Sequence, residues 1–337
     1  MTQRPCVTTT LGQGRAPAGL GRALLPARLR DLMALPPLAP PAASILDLIG
    51  RTPMVRLNRL SPNPRVAIYA KLEGFNPTGS IKDRIALSMI EQAEREGTLH
   101  PGVTIIEPTS GNTGIGIAMI GAVKGYPVEI VMSEAVSVER RKMIQAFGAT
   151  VTLTDPTKGT DGAIVRAREL VQHYPGRYFM PDQFSNHYNQ LAHYAGTARE
   201  MLEQVGGRLD AFVSALGTSG TLMGVGLALK EAIPTVQIVS AHPVLGHYIQ
   251  GLKNLEEAIV PAIYDEKKID RHVMVESEAA FDVARRIARE EGIFVGMSSG
   301  AALLAATTVA SEMDAGTIVT IFPDRGEKYL STALFQV

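Results

Sequence analysis

Cysteine is almost missing from this chain. The single one, Cys6, excludes an intrachain disulfide and any cysteine-rich metal site. Such sparse cysteine use fits a reducing compartment and leads us to expect a cytoplasmic location. A surplus of charge is missing too, since 33 basic and 33 acidic residues leave a formal net charge of zero. No overall field therefore draws the chain to nucleic acid or to an anionic membrane. No apolar run approaches the roughly 20 residues that span a bilayer. Nor is there a repeat of fixed period, or a low-complexity tract after Pro41. What is present is ordinary globular composition: 337 residues, 45% apolar and 20% charged. That length suits one large domain or two of middle size.

Residues 1–43 differ from the rest. They are rich in Pro, Gly, Ala and Arg, and Asp31 is their only acid. We read them as a disordered N-terminal extension. Arginine without acids suits a transit peptide, but the segment contains no serine, which argues against one. A start at Met33 would also account for it.

From Ser44 the pattern becomes regular, and residues 44–337 read as the folded domain. Ser44 can cap a short helix, Ile45 to Ile49, ended by Gly50. Strands are predicted at Val66–Leu72, Val103–Ile106, Val128–Met132, Thr150–Thr154, Ala211–Ala215, Val236–Ser240, His272–Val275 and Ile318–Phe322. Helices are predicted at Lys82–Arg95, Thr113–Lys124, Val138–Phe147, Ala163–His173, Asn189–Gln204, Ser219–Glu231, Glu278–Glu291 and Ser299–Glu312. Several strands are near-continuous runs of Val, Ile and Ala, which points to sheets covered on both faces and hence to a parallel α/β fold. A smaller, mobile subdomain is expected near residues 87–190, although no Pro/Gly/Ser linker marks its edges.

Four stretches carry chemistry. In Gly79-Ser80-Ile81-Lys82-Asp83-Arg84, a lysine stands where a loop turns into a helix. The helix dipole disfavours a cation there and lowers the amine pKa, and a neutral amine can form a Schiff base with a carbonyl cofactor. The plain alternative is a solvated lysine. Thr109-Ser110-Gly111-Asn112-Thr113-Gly114 gathers hydroxyls, an amide and free backbone N–H groups at a helix start, which suits a carboxylate. By itself it is equally an N-cap turn. Gly217-Thr218-Ser219-Gly220-Thr221 suits a phosphate, but it is neither a Walker loop nor a dinucleotide fingerprint. Gly296-Met297-Ser298-Ser299-Gly300-Ala301 again presents hydroxyls at a strand-to-helix junction. The histidines show no metal spacing, Arg140-Arg141-Lys142 reads as a solvated helix face, and the methionines read as core filler.

Taken together, NPTGSIKDR, EPTSGNTG, DQFSN, GTSGT, GMSSGA and a terminal GEKYLST resemble, in order, the fold type II pyridoxal-phosphate enzymes. The closest likeness is to the cysteine synthases and the core of cystathionine β-synthase. The resemblance runs from Ser44 to Leu334. It implies a tryptophan synthase β-like fold of two three-layer α/β/α subdomains with mostly parallel sheets, and pyridoxal 5'-phosphate as cofactor. It further implies that Lys82 forms the internal aldimine and moves the α-proton, and that Asn112 meets the cofactor's 3-hydroxyl. Gly217, Thr218, Ser219, Gly220 and Thr221 would hold the phosphate, and Ser298 would face the pyridine nitrogen. Thr109, Ser110, Gly111, Thr113 and Gln183 would hold the substrate carboxylate. A hydroxyl at the pyridine nitrogen makes the ring a weaker electron sink than an Asp would, favouring β-elimination to an aminoacrylate to which a sulfur donor adds. Partners implied are an amino-acid substrate, a sulfur donor, a second copy in a homodimer, and the C-terminal peptide of a serine acetyltransferase.

The segment Gly246-His247-Tyr248-Ile249-Gln250-Gly251-Leu252-Lys253 departs from the usual O-acetylserine pattern. It resembles the O-phosphoserine-accepting branch of cysteine synthases, where a cation, here Lys253, would favour a phosphate leaving group. Solvated loop lysine is the competing reading. His242 stands before Pro243 where relatives often have an acid, and Ser219 replaces a common glycine. Cystathionine β-synthase is the alternative activity; the chain stops at Val337 with no regulatory tail, which argues against the animal type of that enzyme. No Cys/His pair precedes the core to hold haem, the first histidine being His100. A non-catalytic homologue that binds a partner peptide is the second alternative.

Overall fold

A computed structural model describes residues 40–336. The expectations for residues 1–39, and with them most of the proposed extension, lie outside the described residues. Ser44 caps a single helical turn at Ile45–Leu48, reinforced by Asp47 in a reciprocal capping box.

Beyond that turn the chain is built on two sheets. The larger contains β1 (Met54–Leu57), β2 (Val66–Leu72), β7 (Ala211–Ala215), β8 (Gln237–Pro243), β9 (Arg271–Val275) and β10 (Gly316–Phe322). Its order is β1-β2-β10-β7-β8-β9, parallel except for the antiparallel β1 edge. The smaller contains β3 (Thr104–Pro108), β4 (Val128–Ser133), β5 (Thr150–Thr154) and β6 (Tyr178–Phe179), ordered β5-β4-β3-β6 and fully parallel.

Helices cover both faces of each sheet, as the continuous apolar strands require. They are α1 (Lys82–Arg95), α2 (Asn112–Lys124), α3 (Val138–Ala146), α4 (Gly159–His173), α5 (His187–Ala192), α6 (Ala198–Gln204), α7 (Gly220–Ala232), α8 (Ser277–Arg286) and α9 (Met297–Glu312). On the larger sheet, Ile68, Val213, Val239 and Ile318 pack against α8 and α9. Phe212, Ile238, Val319 and Ile321 pack against α6 and α7 on the opposite face. On the smaller sheet, Ile105 and Ile130 face α1 and α2, whereas Ile106 and Val131 face α4. α2 and α9 are buried nearly all round, which is why neither shows a charged face in the sequence.

The strands and helices read from the sequence are present, with four differences. β1 and β6 were not predicted, being short edge elements with little pattern to carry them. The helix predicted over Asn189–Gln204 is three pieces: α5, a wider π-type turn at His193–Thr197, and α6. The helix predicted over Glu278–Glu291 likewise ends in a π-type turn at Ile287–Glu291.

A network of buried charge pins β2 to α1 and α6. Lys71 Nζ lies 2.7 Å from Glu200. Arg84 lies 2.7 Å from both Glu73 and Glu200. Thr52 donates to Glu73 at 2.7 Å, and its carbonyl accepts from Lys71 at 2.6 Å. Each charge meets an opposite one, the condition for tolerating ions in a core.

Candidate active site

α1 begins at Lys82 because Pro77 and Gly79 stop any earlier helical turn, Gly79 lying at φ 79°. Asp83 fixes the entry: the Thr78 amide donates to it at 2.7 Å, and the Thr78 hydroxyl donates to its other oxygen. The loop is tied to the chain after β10 through Ile81 N to Pro323 O, 2.8 Å. Lys82 thereby enters a cleft lined from both sheets. Its amine makes no hydrogen bond to any described residue. Burial pushes it down to about 8, and the Asp324 carboxylate opposes that shift. The lowering expected from the helix start is present, but its main cause is desolvation.

The turn after β3 forms a second wall. Gly111 sits at φ 134°, and a Cβ there would meet Arg140 Cδ at 2.3 Å, so only glycine fits. Thr113 donates to Gln183 Oε1 at 2.6 Å, and Gln183 Nε2 donates to the Pro108 carbonyl at 3.0 Å. Glu107 holds the Gln183 segment by accepting the amides of Asp182 and Gln183 at 2.9 and 3.1 Å. Burial raises Glu107 to about 8. Asn112 is gripped at both ends: Nδ2 donates to Asp324 at 2.7 Å, and Oδ1 accepts from Lys328 at 3.1 Å.

The turn after β7 forms the third. Ser219 adopts a left-handed conformation, φ 69°, and its Oγ is buried without a partner. The amide of Asn189 donates to Thr218 Oγ1 at 3.1 Å, which leaves the Thr218 hydroxyl hydrogen free. A Cβ on Gly220 would come within 1.9 Å of Asn189 Oδ1, so glycine lets α5 and the turn touch. No side chain caps α7, so its first-turn amides are left without a side-chain partner among the described residues. Thr221 contacts His193 Nε2 at 3.3 Å, and burial keeps that imidazole neutral.

Of the residues singled out in the sequence, Lys82, Thr109, Ser110, Asn112, Thr113, Gln183, Gly217, Thr218, Ser219, Thr221, Lys253 and Ser298 all line this one cleft. Gly111 and Gly220 stand behind it in the same turns. Lys253 is not a solvated lysine: it is 9% exposed, donates to Asp161 of α4 at 2.8 Å, and lies 5.0 Å from the Phe184 ring centre. His242 does not line the cleft. It is buried against Ser240 and His272, and burial, then His272, lowers it to about 4, so it is neutral.

The solvated face expected at Arg140 is corrected. Arg140 is 1% exposed and lines the cleft, donating to the Ser110 carbonyl at 3.2 Å and to Tyr329 at 2.6 Å. Tyr248 and Gln250, which lie in the 246–253 segment but were given no role there, and Tyr329 also line the cleft. Only the terminal GEKYLST pattern gave a signal for Tyr329.

A buried amine, an orphan hydroxyl at the start of α7, and the hydroxyl- and amide-bearing turn after β3 thus share one cavity. A family model described as pyridoxal-phosphate dependent enzyme matches residues 45–324. A cysteine synthase of Aquifex aeolicus (strain VF5) is 50% identical over 300 residues, covering 87% of this chain and 92% of that protein. The chain belongs to the cysteine synthase family of pyridoxal-phosphate dependent enzymes. Cysteine synthase B of Pseudomonas aeruginosa is another relative, 44% identical over 87% of this chain and 97% of its own. Among solved structures, O-ureido-L-serine synthase superposes with TM-score 0.83 at 44% identity, covering 88% of this chain and 96% of that one. O-acetylserine sulfhydrylase isoform 3 of Entamoeba histolytica gives TM-score 0.83 at 43% identity, covering 90% and 94%. These relatives favour a cysteine synthase over the cystathionine β-synthase and non-catalytic alternatives. The residues of this family member fit the cofactor. Among the described residues the Ser219 Oγ is a buried donor with no partner, as a phosphate cradle needs.

Proposed function

We propose that this protein makes L-cysteine from an activated serine, O-acetylserine or O-phosphoserine, and sulfide, using pyridoxal phosphate held on Lys82. The observation that carries the proposal is the Lys82 amine, free of partners and lowered to about 8, facing both anion-type turns across one cleft. When bound, pyridoxal phosphate supplies an aldehyde for that amine and an electron-withdrawing ring that acidifies the substrate Cα–H.

The protein's own groups do the rest. Thr218, Ser219, Thr221 and the start of α7 would hold the phosphate. Asn112, whose amide nitrogen has one N–H left after serving Asp324, would serve the 3-hydroxyl. Ser298 would serve the ring nitrogen, and as a hydroxyl it would not keep that nitrogen protonated, which would suit β-elimination over a long-lived carbanion. Thr109, Ser110, Thr113 and Gln183 take the substrate carboxylate, and Lys82 Nζ carries the α-proton away and returns it. The part near residues 87–190 closes over the bound substrate. A homodimer, a cytoplasmic setting and an acetyltransferase peptide as occupant of the cleft belong to the same proposal and rest on the family resemblance.

The test is borohydride reduction of the cofactor-loaded protein followed by peptide mapping, with cysteine formation measured from O-acetylserine, O-phosphoserine and serine. Label at Lys82 and turnover of an activated serine support the proposal. A folded Lys82→Ala variant with undiminished turnover overturns it.

A further inference from the structure

We propose that Asp324 is a positioning residue for this reaction, setting Asn112 and the Ser110–Gly111 turn by acting as the common acceptor for the side chains that hold them. This deepens the cysteine synthase reading and rests on it.

Asp324 lies two residues beyond the end of the central strand β10 and is 2% exposed. One of its oxygens, Oδ2, gathers three donors: Asn112 Nδ2 at 2.7 Å, the Tyr329 hydroxyl at 2.7 Å and Arg140 Nη2 at 3.4 Å. Asp324 itself does not line the cleft, whereas all three donors do. It therefore acts through them. Its charge is matched inside the core by Arg140, which is stacked 4.6 Å from the Tyr329 ring centre.

The cleft feels this in two ways. The Asn112 amide is fixed in one orientation, because the carboxylate of Asp324 accepts only and the Lys328 ammonium donates only. The nitrogen of Asn112 is thereby set as a donor. Arg140, anchored on Asp324 and Tyr329, spends its remaining terminal nitrogen on the Ser110 carbonyl and lies directly beneath Gly111. The carboxylate-type turn, which belongs to the smaller sheet, is thus propped from the segment after β10, which belongs to the larger. Charge-assisted hydrogen bonds of this kind hold geometry better than neutral ones. The carboxylate also stands close enough to oppose the lowering of the Lys82 amine.

The experiment compares the cofactor-loaded wild type with Asp324→Asn and Tyr329→Phe. Asp324→Asn keeps the shape and removes the charge, so the KM for the activated serine is expected to rise about tenfold or more with kcat within about threefold. The visible circular dichroism of the bound cofactor is expected to change, because Asn112 loses its fixed orientation. Tyr329→Phe leaves the Asn112–Asp324 contact intact, so it is expected to raise KM with no change in the dichroism. An Asp324→Asn variant that folds with wild-type KM and dichroism overturns the proposal, as does one that loses kcat alone. Should Asp324→Asn not fold, Tyr329→Phe decides: an unchanged KM overturns the proposal and a raised KM supports it. A wild-type protein that makes no cysteine, or carries no label at Lys82, instead overturns the underlying functional reading.

Discussion

The lowered Lys82 amine makes a quantitative prediction about cofactor capture. Burial brings it to about 8, whereas an exposed lysine titrates near about 10.4. At pH 7 about a tenth of the Lys82 amines are then neutral, against about 0.04% of exposed ones. Between pH 8 and 10 the neutral fraction of Lys82 rises only about twofold, whereas that of an exposed lysine rises about seventyfold. The perturbation is therefore a pH series. The assay is the rate at which cofactor-free protein acquires its visible absorbance on mixing with pyridoxal phosphate, divided by the rate for a lysine peptide so that the cofactor's own titration cancels. The normalised rate should be high at pH 7 and fall steeply above pH 8, as the peptide catches up. Asp324 supports the charged form, so Asp324→Asn should move the break to lower pH. A protein rate that climbs in parallel with the peptide to pH 10 would show that Lys82 is an ordinary solvated amine, and the catalytic reading would lose its main support.

Other parts of the molecule give further expected outcomes. Lys253→Ala should reduce turnover of O-phosphoserine about tenfold more than that of O-acetylserine if its ammonium meets the leaving group; equal losses would leave it only as the tie to Asp161. Glu107 has a raised pKa in the folded protein, so the native state binds the extra proton and its stability is lost as pH climbs from about 5 to 8. Urea midpoints should fall over that range in the wild type, and Glu107→Gln should flatten the fall; parallel curves would refute the assignment. Gly300→Ala would place a Cβ 2.0 Å from the Ala280 carbonyl, forcing α8 from α9 at a cost of about 1–3 kcal/mol. Its thermal midpoint should drop by several degrees, and an unchanged midpoint would mean that the two helices part freely.

The alternation of strand and helix was legible because both sheets are buried on two faces, so each strand is a dense apolar run that nothing else in the sequence imitates. β1 has four residues and β6 two, too few for either run or period to register. The break at His193–Thr197 did not register because its one weak point, Gly196, is a lone glycine of the kind a helical pattern tolerates, and nothing local marks a wider turn. The turns bearing Lys82, Asn112, Ser219 and Ser298 were legible one by one, each being a local pattern of small and hydroxyl residues before a helix. The props behind them were not. Arg140 belongs to a run of three cations that locally describes a wet surface, and its partners Asp324 and Tyr329 lie 184 and 189 positions further on. No window along the chain contains both halves of that contact. The same distance hides the tie between Lys253 and Asp161, 92 positions apart.

The interlocked ions joining Lys71, Glu73, Arg84 and Glu200 bear on how the sequence can drift. Removing Glu200 strands Lys71, removing Arg84 strands Glu73, and removing either of the others leaves the buried set with an unbalanced charge; a stranded ion costs about 3–5 kcal/mol, a large share of the margin by which a domain stays folded. Replacing the set together with apolar residues of similar volume carries no such penalty. Variants at these four positions should therefore be tolerated in combination and rejected singly, so that a library randomising all four would recover viable apolar sets that no stepwise walk from this sequence reaches.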